Sequence, residues 1–367
     1  MTPAIPPDSQ TPDVPAGSDL SLSLPLAASA IAHRAGYELD LDALCAVLGL
    51  SWTAITVPSE PDLARWPLYA RDAFVVDAAR LFGLTLRPLH PPEAARGLEV
   101  AAEFEQHFDA SYRPLILRAL ENDQPVLAWR GWPQVKDTAI ELAWGLVEVE
   151  SQQGCGFEGI VLGGRTENHS RLLILERPPV QLYVVENVEP TQPDRDELFD
   201  MALSHARLVM NNMLQDRFDV LTGPQAYDLW IERLRSAPMP LSPLDKGGDR
   251  GGGPSVGRAR TPAEPHGAEN DRVALLPAHL SLAASLIAAH ESAIRFLQSY
   301  KQSGRGKNLV IIEAVSALCQ TVVSCLQGAA TAATQSVDLA DSQTRDSLTN
   351  VLTHARKATV ALSTVLR

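Results

Sequence analysis

The chain has 367 residues with 31 basic and 44 acidic side chains, a net charge of −13. That balance excludes the basic face of a general nucleic-acid binder, and a composition 45% hydrophobic and 20% charged excludes disorder throughout. Cys45, Cys155, Cys319 and Cys325 form no CxxC pair and no zinc spacing, so they are expected as reduced thiols, with no metal and no cofactor. No Lys or Arg precedes Arg34, no apolar run there suits a secretory signal, and no later stretch reaches about 18 uninterrupted apolar residues. A soluble cytoplasmic protein is expected, without membrane or nucleic-acid partners.

Residues 1–24 are rich in proline and small polar residues and read as a disordered tail. Pro25 fits a first helical turn behind a Ser21 or Ser23 cap, and Gly36 supplies a left-handed exit, predicting a helix over 25–35. Its face of Leu26, Ala30 and His33 or Arg34 should pack on a sheet. Asp40 caps a second helix with a stripe of Leu41, Leu44, Cys45 and Leu48, ended by Gly49. A third is predicted over 69–82, closed by Gly83 and followed by the extended run 84–88, and a fourth over 111–121 before a strand over 125–129.

The periodicity then changes from helical to alternating. The runs 144–150, 157–162, 171–176 and 181–186 are separated by Gly, Asn, Ser and Pro clusters, the signature of an antiparallel meander. Helices return over 194–213 and 224–236. The segment 237–272 opens with four prolines and six glycines in residues 238–257 and reads as a disordered linker. Residues 273–367 repeat apolar positions at helical spacing, predicting three helices of about 20 residues. Their wide stripes and thin Ala-rich core call for burial against residues 25–236 or a second copy of the chain. Charge divides the same way: residues 1–236 carry 18 basic and 34 acidic side chains, and residues 273–367 carry 8 and 5.

Candidate chemistry is sparse. Cys155 lies between two glycines and His169 follows across a predicted hairpin, so the two are a candidate nucleophile and base, or a loop cysteine and a surface histidine. His205 and His290 fall on apolar helix faces and read as packed core histidines, as Cys319 and Cys325 read as core thiols. Trp129, Trp132 and Trp144 are close in sequence and suit either a ligand wall or a core seal. Gly154, Gly156, Gly159, Gly163 and Gly164 fit no phosphate-loop spacing and read as hairpin turns.

Four segments carry a resemblance. Gly36-Tyr-Glu-Leu-Asp-Leu-Asp-Ala-Leu44, Asp123-Gln-Pro-Val-Leu-Ala-Trp129, Trp144-Gly-Leu-Val-Glu-Val149 and Leu221-Thr-Gly-Pro-Gln-Ala-Tyr-Asp-Leu-Trp230 resemble the butirosin biosynthesis protein H-like family, related to C39-like cysteine peptidases, over about 25–325. The resemblance implies an α+β papain-like fold, in which a nucleophile-bearing helix packs on an antiparallel sheet that brings a histidine. The family's cysteine belongs where this chain has Ser23-Leu-Pro25, and its histidine where this chain has Ala143-Trp144-Gly145. The expected function is therefore a non-catalytic or diverged papain-like domain that binds a peptide, acyl carrier or small metabolite in a groove bordered by Ser23, Trp129 and Trp144. The alternatives are an active hydrolase or acyltransferase using a displaced nucleophile such as Cys155, and an interaction scaffold, with a homo-oligomer formed through 273–367.

Overall fold

The computed structural model describes residues 22–52, 55–56, 72–89, 108–133, 143–151, 156–162, 170–175, 177, 179, 181–211, 221–236, 270–303, 309–335 and 342–367. Helices α1 (Ser23–Arg34), α2 (Leu41–Val47) and α3 (Asp72–Leu81) precede α4 (Arg113–Glu121), which continues a five-residue π turn over Phe108–Tyr112. Strands are β1 (Ile55–Thr56), β2 (Leu84–Pro88), β3 (Val126–Trp129), β4 (Trp144–Glu150), β5 (Phe157–Leu162), β6 (Ser170–Leu175), β7 (Gln181–Val188) and β8 (Leu221–Thr222). Helices α5 (Arg195–Met210), α6 (Gly223–Ser236), α7 (Asn270–Gln302), α8 (Leu309–Gln335) and α9 (Ser342–Val365) complete the described chain. The architecture is α+β with a carboxy-terminal helical region.

The expected helix ends hold where the local chemistry is strong. Asp40 caps α2 by accepting from the Ala43 amide at 3.0 Å, and Gly36, Gly49 and Gly83 all take positive φ beyond their helices. The cap of α1 differs: Leu22 occupies that position without a side-chain bond, and Ser23 is the first helical residue. α1 is also buried nearly all round rather than along one stripe. Its Ala27, Ala28 and Ala32 let neighbours approach closely on several sides; Ala30 is partly exposed, and His33 and Arg34 in the last turn are exposed. α7 begins at Asn270, so the predicted linker ends three residues sooner than composition indicated; residues 237–269, like 1–21, lie outside the described residues.

β4, β5 and β6 form the expected antiparallel hairpins, but β7 does not continue them. It crosses back to insert between β2 and β3, giving the order β2-β7-β3-β4-β5-β6 with every pairing antiparallel. Both faces of the sheet are covered, which is why β3 is buried at every position. Leu127, Trp129, Trp144, Leu146, Tyr183 and Val185 face one core, and Val126, Ala128, Val147, Val161, Leu175 and Val184 face another with Phe108, Tyr112 and Ile116.

Trp132 anchors the second core. Its indole donates to the Ala143 carbonyl at 3.2 Å and lies flat over β4 and β5, where a Cβ on Gly145 would stand 2.2 Å from the ring and one on Gly159 2.6 Å. Gly159 is thus a mid-strand residue that makes room for an indole, not a turn. Gly156 directly precedes β5, and Gly154, Gly163 and Gly164 lie outside the described residues.

The three carboxy-terminal helices, 33, 27 and 24 residues long, share a core with the rest of the chain. Ala293, Phe296, Leu297 and Tyr300 of α7, Ile312, Val315 and Cys319 of α8, and Leu362 and Leu366 pack with Leu44, Val47, Phe199 and Val209. Phe199 stacks on Tyr300 with centroids 4.1 Å apart, and the Tyr300 hydroxyl donates to Asp196 at 2.7 Å. Arg295 grips Asp42 through two 2.8 Å bonds, and Arg356 pairs with Asp228. These exposed ion pairs each contribute under about 1 kcal/mol, so apolar burial holds the junction and the charges fix its register.

Candidate functional site

The expected site residues converge at the start of α1. The Trp144 amide, first in β4, donates to the Ser23 hydroxyl, first in α1, at 2.9 Å across a sequence separation of 121 residues. The Trp144 indole stacks between Trp129 and Tyr183, with centroids 6.3 Å and 5.6 Å away and near-parallel planes. This stack follows from register: Trp129 lies opposite Trp144 on β3 and β4, and Leu127 opposite Tyr183 on β3 and β7. Arg130, at φ 65°, closes the end of the stack with its guanidinium 5.3 Å from the Trp129 ring.

Ser23, Trp129, Trp144 and Tyr183 are each 0% exposed. The three residues expected to border one groove do meet, and in this conformation their meeting point is an internal joint between helix and sheet. Chemically it has little to offer. The Ser23 hydroxyl accepts a backbone hydrogen bond, an indole has no basic lone pair to take a proton, and neither side chain reaches solvent. Tyr183 and Arg130 were not singled out from sequence. The alternation Gln181-Leu-Tyr-Val places Tyr183 on the Trp129 side once β7 pairs with β3, whereas nothing local marks Arg130.

Cys155 and His169 lie outside the described residues. His290 is fully buried on α7, as expected of a core histidine. His205 on α5 is half-buried and bonds through Nδ1 to the Val47 carbonyl at the end of α2. Burial pushes its pKa below the ordinary histidine value, against smaller upward effects from the Val47 bond and Asp77. A depressed folded-state value means that its stabilising contribution is present above the unfolded pKa and is lost as pH falls through the folded one. Urea midpoints measured from pH 7.5 down to 5 should therefore fall more steeply for the native chain than for His205→Gln; identical slopes would assign the acid sensitivity elsewhere.

Cys319 is a core thiol whose pKa burial pushes up to about 12. Cys325 departs from the core reading: it is half-exposed and lines a shallow surface groove of about 590 Å³ between α8 and α9, with burial pushing its pKa upward. Neither thiol is activated as a nucleophile. Among the described residues no three His, Cys, Asp or Glu side chains cluster as metal ligands. Among the described residues one helix, over Leu309–Thr331, is long and apolar enough to cross a membrane, with a mean hydropathy of 2.0 and 33% of that stretch buried inside the protein.

The segment 223–230 has a packing role. Gly223, at φ 57°, sits where a Cβ would stand 2.4 Å from the Met210 carbonyl, so it lets the start of α6 touch the end of α5. Ala226, Tyr227 and Trp230 then form a second helical core with Leu286, Val322, Leu326 and Leu352. Searched against protein-family models and curated proteins, the sequence matches none.

Proposed function

We propose that this chain is a non-catalytic papain-like domain, soluble and cytoplasmic, that acts by binding a peptide, acyl carrier or small metabolite rather than by turnover. The observation that supports this reading is the Trp144-to-Ser23 hydrogen bond. It joins the two positions at which the family resemblance puts a histidine and a cysteine, on a helix start and a strand start packed together. With a serine and a tryptophan there, the helix-to-sheet joint is kept while proton transfer and thiolate attack are lost. Because that joint is buried, the partner engages another surface, or the joint opens to admit it.

The test is labelling of the full chain with a thiol-reactive acyl probe and a serine-reactive fluorophosphonate, followed by peptide mapping. The expected result is no stoichiometric adduct on Ser23 and only slow cysteine labelling. Rapid acylation of Cys155 that His169→Ala abolishes would overturn the reading in favour of a displaced nucleophile.

A further inference from the structure

α8 combines an exposed face with an absence of charge. From Ala314 to Gln335 the sequence holds no Asp, Glu, Lys or Arg, in a chain whose net charge is −13. Ala317, Gln320, Thr321, Ser324, Gln327, Gly328 and Thr331 are nevertheless exposed. An exposed helix face that faces only water is normally charged.

We propose that this face is the interface of a homodimer, in which α8 packs antiparallel against α8 of a second copy about a two-fold axis. This inference does not depend on the papain-like reading. Four observations carry it. First, the small residues Ala314, Ala317, Thr321, Ser324, Gly328 and Thr331 follow one another at spacings of 3, 4, 3, 4 and 3. An antiparallel copy sets Ala314 against Thr331, Ala317 against Gly328 and Thr321 against Ser324, so the stripe complements itself, as an isologous interface requires.

Second, the electrostatics select this face. Two copies of a strongly acidic chain repel where carboxylates oppose one another, and this is a surface where none do. Third, its hydroxyls are already satisfied within the helix. Thr321 donates to the Ala317 carbonyl and Ser324 to the Gln320 carbonyl, both at 2.9 Å, so closing a partner over them strands no donor. Fourth, Gly328 has no internal reason to be glycine. A Cβ there would meet nothing within 4 Å and φ is not positive, yet glycine in a helix interior costs about 1 kcal/mol relative to alanine. The space it leaves is outside the protomer, in the groove lined also by Val351 and His354 of α9.

The extent fits a modest dimer. From Ala314 to Thr331 the stripe runs about 26 Å at 1.5 Å per residue. With the flank of α9, two copies bury on the order of 1,000 Å² in total, the lower end of specific interfaces, so association should depend on concentration in the micromolar range.

Sedimentation velocity on the full chain over a concentration series tests this, with circular dichroism to establish that each variant is folded. The native chain should shift from monomer to dimer. Thr321→Glu, which places two new carboxylates beside the axis, should weaken dimerisation at least tenfold, and Gly328→Leu should do the same while leaving helix content unchanged. In a second arm, Thr321→Cys/Ser324→Cys in a Cys325→Ala background should cross-link the antiparallel pair on oxidation. A chain monomeric throughout the series, a dimer indifferent to both Thr321→Glu and Gly328→Leu, or a cross-link absent from a folded dimer would each overturn the proposal.

Discussion

Gly145→Ala is expected to destabilise the fold by about 3 kcal/mol, the upper part of the usual range for an overpacked core. The added methyl would stand 2.2 Å, 2.8 Å and 2.9 Å from three atoms of the Trp132 ring, and the indole has nowhere to retreat. Its nitrogen is tied to the Ala143 carbonyl, and Gly159 lies beneath the other end of the ring. The pairings of Gly145 with Ala128 on β3 and Val161 on β5 hold its backbone from both sides. Equilibrium urea unfolding measures the loss, and Gly145→Ala/Trp132→Phe should recover part of it, because the smaller ring vacates the site the methyl needs. A single variant within 0.5 kcal/mol of the native chain, inside the range of an ordinary surface change, would mean that the indole is not fixed there.

Trp144→Ala should cost about 3–5 kcal/mol, the loss typical of truncating a large buried aromatic. It removes the middle member of a stack whose outer rings, Trp129 and Tyr183, rest on adjacent strands. The size of the loss separates two roles for the residue. A tryptophan lining an open groove could be truncated at small cost to folding, whereas a 0% exposed one takes helix–sheet packing with it. Ser23→Ala provides the paired measurement: it deletes one buried hydrogen-bond acceptor and should cost only about 1–3 kcal/mol.

What could be read from the sequence followed the range of the forces involved. Helix ends set by Asp40, Gly49 and Gly83 were legible because capping and left-handed exits act within a few residues. The insertion of β7 between β2 and β3 was not. Its alternating residues would serve equally beside β6, and the choice depends on pairing with Leu84–Pro88, nearly a hundred residues earlier. In sequence α1 looks one-sided because its alanines count as weakly apolar, whereas the fold uses them for their small size. Convergence of Ser23 with Trp144 came from the family resemblance alone, since no periodicity links residues 121 positions apart. Gly159 under Trp132 reads as a turn because sequence does not distinguish a residue that bends the chain from one that makes room for a neighbour.

The core that joins Leu24 and Leu44 to Leu362 and Leu366 also sets an order of events during synthesis. While the ribosome is still making α7, α8 and α9, the apolar faces of α2 and α5 have emerged without the surfaces that cover them. They stay incompletely covered until α7, α8 and α9 have followed. Contacts so distant in sequence form slowly, and the exposed faces are sticky in the interval. Production of this chain should therefore depend on holding chaperones and on slow translation at low temperature, and truncation from the carboxy-terminal side should cause aggregation rather than leave a smaller soluble protein.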